Sequence, residues 1–190
     1  MASNQIAKAL IKEHHDIDAG IEQFMARMGE LNTDTHTGDL NTATSLDTAR
    51  ESASSLLKVF AALRRHIYLE EEFVFPALAD PSLAMAIMVM YREHGSIWRL
   101  MDQAEEQISN HSTDQAQIIK TCEVMLRELE RHNAKEEPII YPHTDADLTE
   151  EQRQRLVQFL DSGEMPAGWI CREAQDGGPA DGRRKLPFGT

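Results

Sequence analysis

The residues best placed to do chemistry in this chain are histidines and glutamates at matched spacings. Glu13-His14 is followed by Ile17 just as Glu93-His94 is followed by Ile97, and His66 stands four residues before Glu70 as His132 stands four before Glu136. The last two pairs lie in a longer shared string, His-x-x-x-Glu-Glu-x-x-x-x-Pro, ending at Pro76 and Pro142. Residues four apart share a helix face, so each His–Glu pair can address one centre. Imidazole nitrogen and carboxylate oxygen together suit iron, manganese or zinc. The bland alternative is a buried network of His–Glu hydrogen bonds. A lone core histidine is more often hydrogen-bonded than metal-bound. Here His14, His66, Glu70, His94, His132 and Glu136 recur in duplicate register, and the duplication favours a metal site.

Helices are needed to position these groups. From about Ala7 to Met28 an apolar seam runs Ala7, Leu10, His14, Ile17, Ile21, Phe24, Met28 in alternating steps of three and four. The segment from about Leu83 to Ile108 repeats it eighty positions later as Ile87, Met90, His94, Ile97, Met101, Ala104, Ile108. The remaining two seams also match: Leu56, Val59, Leu63, His66, Glu70, Phe73 and Cys122, Met125, Leu129, His132, Glu136, Ile139. A helical hairpin written twice predicts an all-α fold, an antiparallel up-down four-helix bundle over residues 1–147. Gly29 to about Ser45 reads as a loop, Asp80-Pro81 opens the third helix, and Ser112 with Gln115 caps the fourth. Residues 148–190 are expected to form a short extra helix, capped by Thr149 with Gln152 and ended by Gly163, and then a flexible tail from Gly177.

Composition narrows the partners. A formal net charge of −13 repels phosphate backbones and anionic lipid, so neither nucleic acid nor membrane is expected. The longest apolar run, Leu83–Met90, is too short to span a bilayer, and the N-terminus lacks a signal-peptide layout, which predicts a cytoplasmic protein. Cys122 reads as a small core residue and Cys171 as part of the tail.

The motifs Glu13-His14, His66-x-x-x-Glu70, Glu93-His94 and His132-x-x-x-Glu136 resemble those of the hemerythrin-like proteins, in particular the His-His-Glu cation-binding branch, over residues 5–145. That resemblance implies two iron ions in an oxo- or hydroxo-bridged di-iron centre. Glu70 and Glu136 would bridge them, and the four histidines would be terminal ligands. Such a set fills about eight of a dozen octahedral positions and leaves room for an oxygen bridge and a small exogenous ligand. The resemblance further implies oxygen binding or sensing, nitric-oxide response or iron handling. Oxygen carriers of the family place a histidine where Trp98 stands here, and pair their fourth-helix histidine with an aspartate five residues on rather than with Glu136 at four.

The expected function is therefore binding or sensing of a diatomic ligand, oxygen or nitric oxide, rather than enzymatic turnover. Iron handling or repair and di-iron oxidoreduction are the alternatives. The Glu-x-x-His signature of ferritin-like di-iron enzymes is missing, since no histidine has a glutamate three residues before it, and no His-Glu-x-x-His is present. His15 is assigned to the flank of the seam near Asp18, and Glu71 and Glu137 either to solvent or to a place behind the ligands. Tyr91 and Trp98 read as core or pocket wall, His36, His111 and His143 as loop residues, and Met85, Met88 and Met90 as core filler.

Overall fold

The computed structural model describes residues 5–34, 42–110 and 114–175, and the described residues are mostly helical with no strand. Four long helices dominate: α1 (Gln5–Asp34), α2 (Thr42–Leu69), α3 (Ala84–Ser109) and α4 (Gln115–Ile139). Three short ones follow: α5 (Tyr141–Ala146), α6 (Glu150–Ser162) and α7 (Arg172–Gln175). Helix α1 packs on α2 and α4, and α3 packs on α4 and α2.

Two apolar clusters fill the interior. The larger gathers Ile17, Ile21 and Phe24 of α1, Leu56 and Leu63 of α2, Ile97 and Met101 of α3, and Cys122, Met125 and Leu129 of α4. The second gathers Leu10, Leu69, Met90, Ile140 and Tyr141. Along every long helix the step from one cluster to the other passes through a buried histidine: Leu10–His14–Ile17, Leu63–His66–Leu69, Met90–His94–Ile97 and Leu129–His132–Ile140. The polar layer thus lies between two dry ones.

The helix ends obey local chemistry. Asp80 accepts from the Ser82 amide ahead of Pro81, as expected of a cap before a first-turn proline. Thr149 and Gln152 form the expected capping box, and α6 stops at Gly163. Other expectations need correction. The α1 helix runs to Asp34 instead of ending at Met28, because Leu31 still has core to pack on, and residues 35–41 lie outside the described ones. Helix α4 is capped by Asp114, whose carboxylate accepts from the Ala116 amide, and Ser112 lies outside the described residues. Cys171 is fully buried in the larger cluster rather than loose in a tail, and Met165, Trp169 and Ala174 join it there. Helix α7 reaches α3 at Gly95, where an added Cβ would lie 2.7 Å from that of Glu173. The tail from Gly177 lies outside the described residues. Met85 and Met88 are exposed, so of that trio only Met90 is core.

The seam register also shifts by one residue in both halves. Phe73 and Ile139, placed inside by the regular pattern, give way to Val74-Phe75 and Ile140-Tyr141, and Ile139 is 45% exposed. In the first half the cause is a π-turn over Glu70–Val74, which fits an extra residue into a turn and rotates the residues beyond it. In the second half α4, with Pro138 in its last turn, gives way to α5 at the same point. No helix among the described residues is long and apolar enough to cross a membrane.

Candidate metal centre

The structure brings all six sequence-picked groups into the polar layer, none more than 3% exposed. They form two groups of donor atoms, each within 4.8 Å: His14, His66, Glu70 and Glu136, and Glu70, His94, His132 and Glu136. The two glutamates belong to both. Glu70 turns Oε1 to His66 Nε2 at 3.1 Å and Oε2 to His94 Nε2 at 3.2 Å, one oxygen to each group. Glu136 turns Oε2 to His132 Nε2 at 3.0 Å and to His14 Nε2 at 3.6 Å. The imidazoles pair accordingly, with ring centres 4.7 Å apart for His14 and His66 and 4.9 Å for His94 and His132.

Every one of these imidazoles is held from behind by a glutamate. Nδ1 lies 3.0 Å from Glu137 in His14, 2.7 Å from Glu13 in His66, 2.9 Å from Glu71 in His94 and 3.2 Å from Glu93 in His132. An Nδ1–H donated outward leaves the Nε2 lone pair facing the centre, the arrangement by which carboxylates orient metal-binding histidines. Three of these carboxylates are themselves fixed: Arg65 Nη1 donates to Glu13 and Lys135 Nζ to Glu93, while the Arg172 amide of α7 donates to Glu71. Glu71 is therefore buried rather than solvated, and it ties the C-terminal segment to His94.

Without a cation, protons carry the positive charge of this layer. Burial opposes charge on His66 and His132, but Glu70 and Glu136 beside them outweigh it and push each up to about 10. Burial also opposes charge on His94, and the carboxylates of Glu70 and Glu71 against its ring raise it nonetheless. His14 is pushed down to about 2 by burial and by the neighbouring His66. The two carboxylates diverge: Glu70 is held well below its usual range by His66 and His94 against its burial, while burial and the charge of Glu70 raise Glu136. Even so, the 3.2 Å contact of Glu70 Oε2 with His94 Nε2 is not aligned as a hydrogen bond, and Glu136 Oε1 has no hydrogen-bond partner. A buried polar atom left so costs about 1–3 kcal/mol. A cation is the partner this donor set fits, since carboxylate oxygens and deprotonated imidazole nitrogens all offer it lone pairs.

Sequence reasoning missed Tyr141. Its hydroxyl sits in the layer, 2.6 Å from Glu70 Oε1 and 2.8 Å from His14 Nε2. The signal was there in the repeat, where Phe75-Pro76 and Tyr141-Pro142 close both halves of the duplicated string. A regular heptad step puts position 141 off the seam, and the register shift brings it in. Other residues stay outside. His15 is exposed on α1, and His143 lies in α5, rather than in a loop, bonded to Asp147. His36 and His111 are outside the described residues. Trp98 is core, packed edge-on to Trp169 with the Arg64 guanidinium over its ring, and Tyr91 is half-buried against Phe75.

The family model described as Hemerythrin HHE cation binding domain matches residues 5–144, which include all six groups and Tyr141. No curated protein and no solved structure matches the chain.

Proposed function

Because the chain belongs to the hemerythrin HHE cation-binding family, we propose that His14, His66, Glu70, His94, His132 and Glu136 hold two iron ions, and that this centre binds or senses oxygen or nitric oxide. The observation that carries the reading is the duplicated cage: four Nε2 atoms turned inward by four outer glutamates, around two carboxylates shared by both donor groups. Glu70 and Glu136, which belong to both donor groups, would hold both ions, and each histidine would hold one. Iron supplies redox chemistry and positions that protein donors leave open.

The rest of the machinery is the chain's own. Glu13, Glu71, Glu93 and Glu137 keep the four imidazoles in the tautomer that binds a cation, and the two apolar clusters keep water from both sides of the layer. We place the cage in an up-and-down antiparallel bundle over residues 1–147, with the described residues beyond it, 148–175, packed against it. The support is that α1 and α3 pass from the second cluster to the larger one, while α2 and α4 pass the other way. The unpaired thiols of Cys122 and Cys171 suit a reducing compartment such as the cytoplasm.

The test comes from the donor set. Two anionic glutamates with tryptophan at position 98 instead of a further imidazole favour the ferric state, because hard, charged donors suit the more highly charged ion. The reduced protein is expected to bind nitric oxide under anaerobic conditions, seen as a change in its visible spectrum. In air it is expected to oxidise without returning to the reduced spectrum on evacuation. No spectral response to either gas would remove the diatomic reading, and full recovery on evacuation would restore that of an oxygen carrier.

A further inference from the structure

The two halves of the cage are alike in every group but one. Phe75 and Tyr141 close the same duplicated string, and each ring lies against the histidine of a facing helix: Phe75 stacks on His94 at 5.7 Å, and Tyr141 lies against His14 at 5.4 Å. The difference between them is one oxygen.

That oxygen touches all four side chains of the first donor group. Tyr141 Oη lies 2.6 Å from Glu70 Oε1, 2.8 Å from His14 Nε2, 3.2 Å from His66 Nε2 and 3.2 Å from Glu136 Oε2. A neutral hydroxyl offers one donor and two acceptor sites, so four partners exceed its capacity, and carboxylate oxygens offer it no proton in return. The separations fit another geometry. Ligands about 2.1 Å from an octahedral cation lie about 3 Å apart when they are neighbours. Oη is spaced from the other four donors as a fifth corner of one such polyhedron would be.

The second group lacks this neighbour, and its deficit is visible. Glu70 Oε2 and His94 Nε2 meet at 3.2 Å without the alignment of a hydrogen bond, and no tyrosine hydroxyl reaches them, whereas Oη contacts both carboxylates and both imidazoles of the first group. We propose that Tyr141 is a ligand of the His14–His66 seat alone, making the two seats unequal, so that a small exogenous anion or diatomic enters at the His94–His132 seat. Coordination exchanges the Oη–H bond for an oxygen–metal bond, and the proton passes to solvent. The phenolate oxygen is a hard donor and adds to the ferric preference of the cage.

This rests on the iron reading above, and the experiment separates the two. Wild type, Tyr141→Phe and Phe75→Tyr are loaded with iron, oxidised, counted for metal by elemental analysis and titrated with azide. The visible charge-transfer band and the phenolate ring vibrations in resonance Raman are recorded in parallel. Wild type is expected to show phenolate vibrations and to bind one azide per two irons. Tyr141→Phe is expected to keep its metal, lose the phenolate vibrations at least tenfold, and accept a second azide. Phe75→Tyr is expected to weaken azide binding at least tenfold. Wild-type and Tyr141→Phe proteins with the same Raman spectrum and full metal would overturn the tyrosine ligand while leaving the iron reading intact. A wild type that takes up no iron would overturn both.

Discussion

Removing metal from the proposed centre is expected to lower the melting temperature by roughly 5–15 °C and to leave the far-ultraviolet helical signal almost unchanged. The shift is a consequence of mass action. A cation that binds only the assembled layer stabilises it by about 2.7 kcal/mol at a hundred times its dissociation constant and about 4.1 at a thousand times. In a chain of this length each kcal/mol moves the midpoint by about 2–4 °C. The structural reason is local. The stripped layer keeps its outer Nδ1 bonds to Glu13, Glu71, Glu93 and Glu137, but Glu136 Oε1 has no hydrogen-bond partner, and Glu70 Oε2 and His94 Nε2 meet without hydrogen-bond alignment. Helicity survives because the clusters on either side of the layer, around Phe24, Leu56 and Met101 and around Leu10, Leu69 and Met90, need no metal. Circular dichroism melts of chelator-treated and metal-reloaded protein measure this. Equal midpoints would show that the layer is a self-sufficient hydrogen-bond network.

The second large effect is on metal retention, and it should come in three grades. Glu70→Ala or Glu136→Ala removes a side chain shared by both donor groups and is expected to lower bound metal at least tenfold after dialysis. Glu13→Gln or Glu93→Gln leaves the donor atoms in place but exchanges the carboxylate behind His66 or His132 for an amide, and a loss of about 10–100-fold in affinity is expected. His15→Ala and His143→Ala change an exposed residue and an α5 residue bonded to Asp147, and neither should change metal content. Elemental analysis of the dialysed proteins reads all three grades. Metal that survives Glu136→Ala but not His143→Ala would put the site elsewhere.

The six buried groups were legible because their signal is a period. Steps of three and four place His14 with Leu10 and Ile17, and the same steps recur at His94, so a wrong assignment would have to be wrong twice in the same way. The matched His66–Glu70 and His132–Glu136 pairs carried the other half. Tyr141 was not legible, since a regular heptad cannot anticipate the change of register at Glu70–Val74 or its counterpart after Pro138. Both shifts sit directly beside a shared glutamate, where the helix must turn the carboxylate inward and bring an aromatic ring behind it. The outer glutamates were half legible. Glu13 and Glu93 read only as part of the motif, and Glu71 and Glu137 read as either solvated or behind the ligands; they lie behind His94 and His14, and nothing local says which helix they face. The burial of Cys171 and Trp169 was hidden for the same reason: the pattern of a short segment does not show that a bundle groove awaits it.

The central claim is two cations in one cage, and anaerobic titration of the metal-free protein with ferrous iron, read by elemental analysis after gel filtration, tests it most directly. Uptake should stop at two irons per chain. A folded protein that retains none, or one that binds two irons equally well after His66 and His132 are both replaced by alanine, would contradict it.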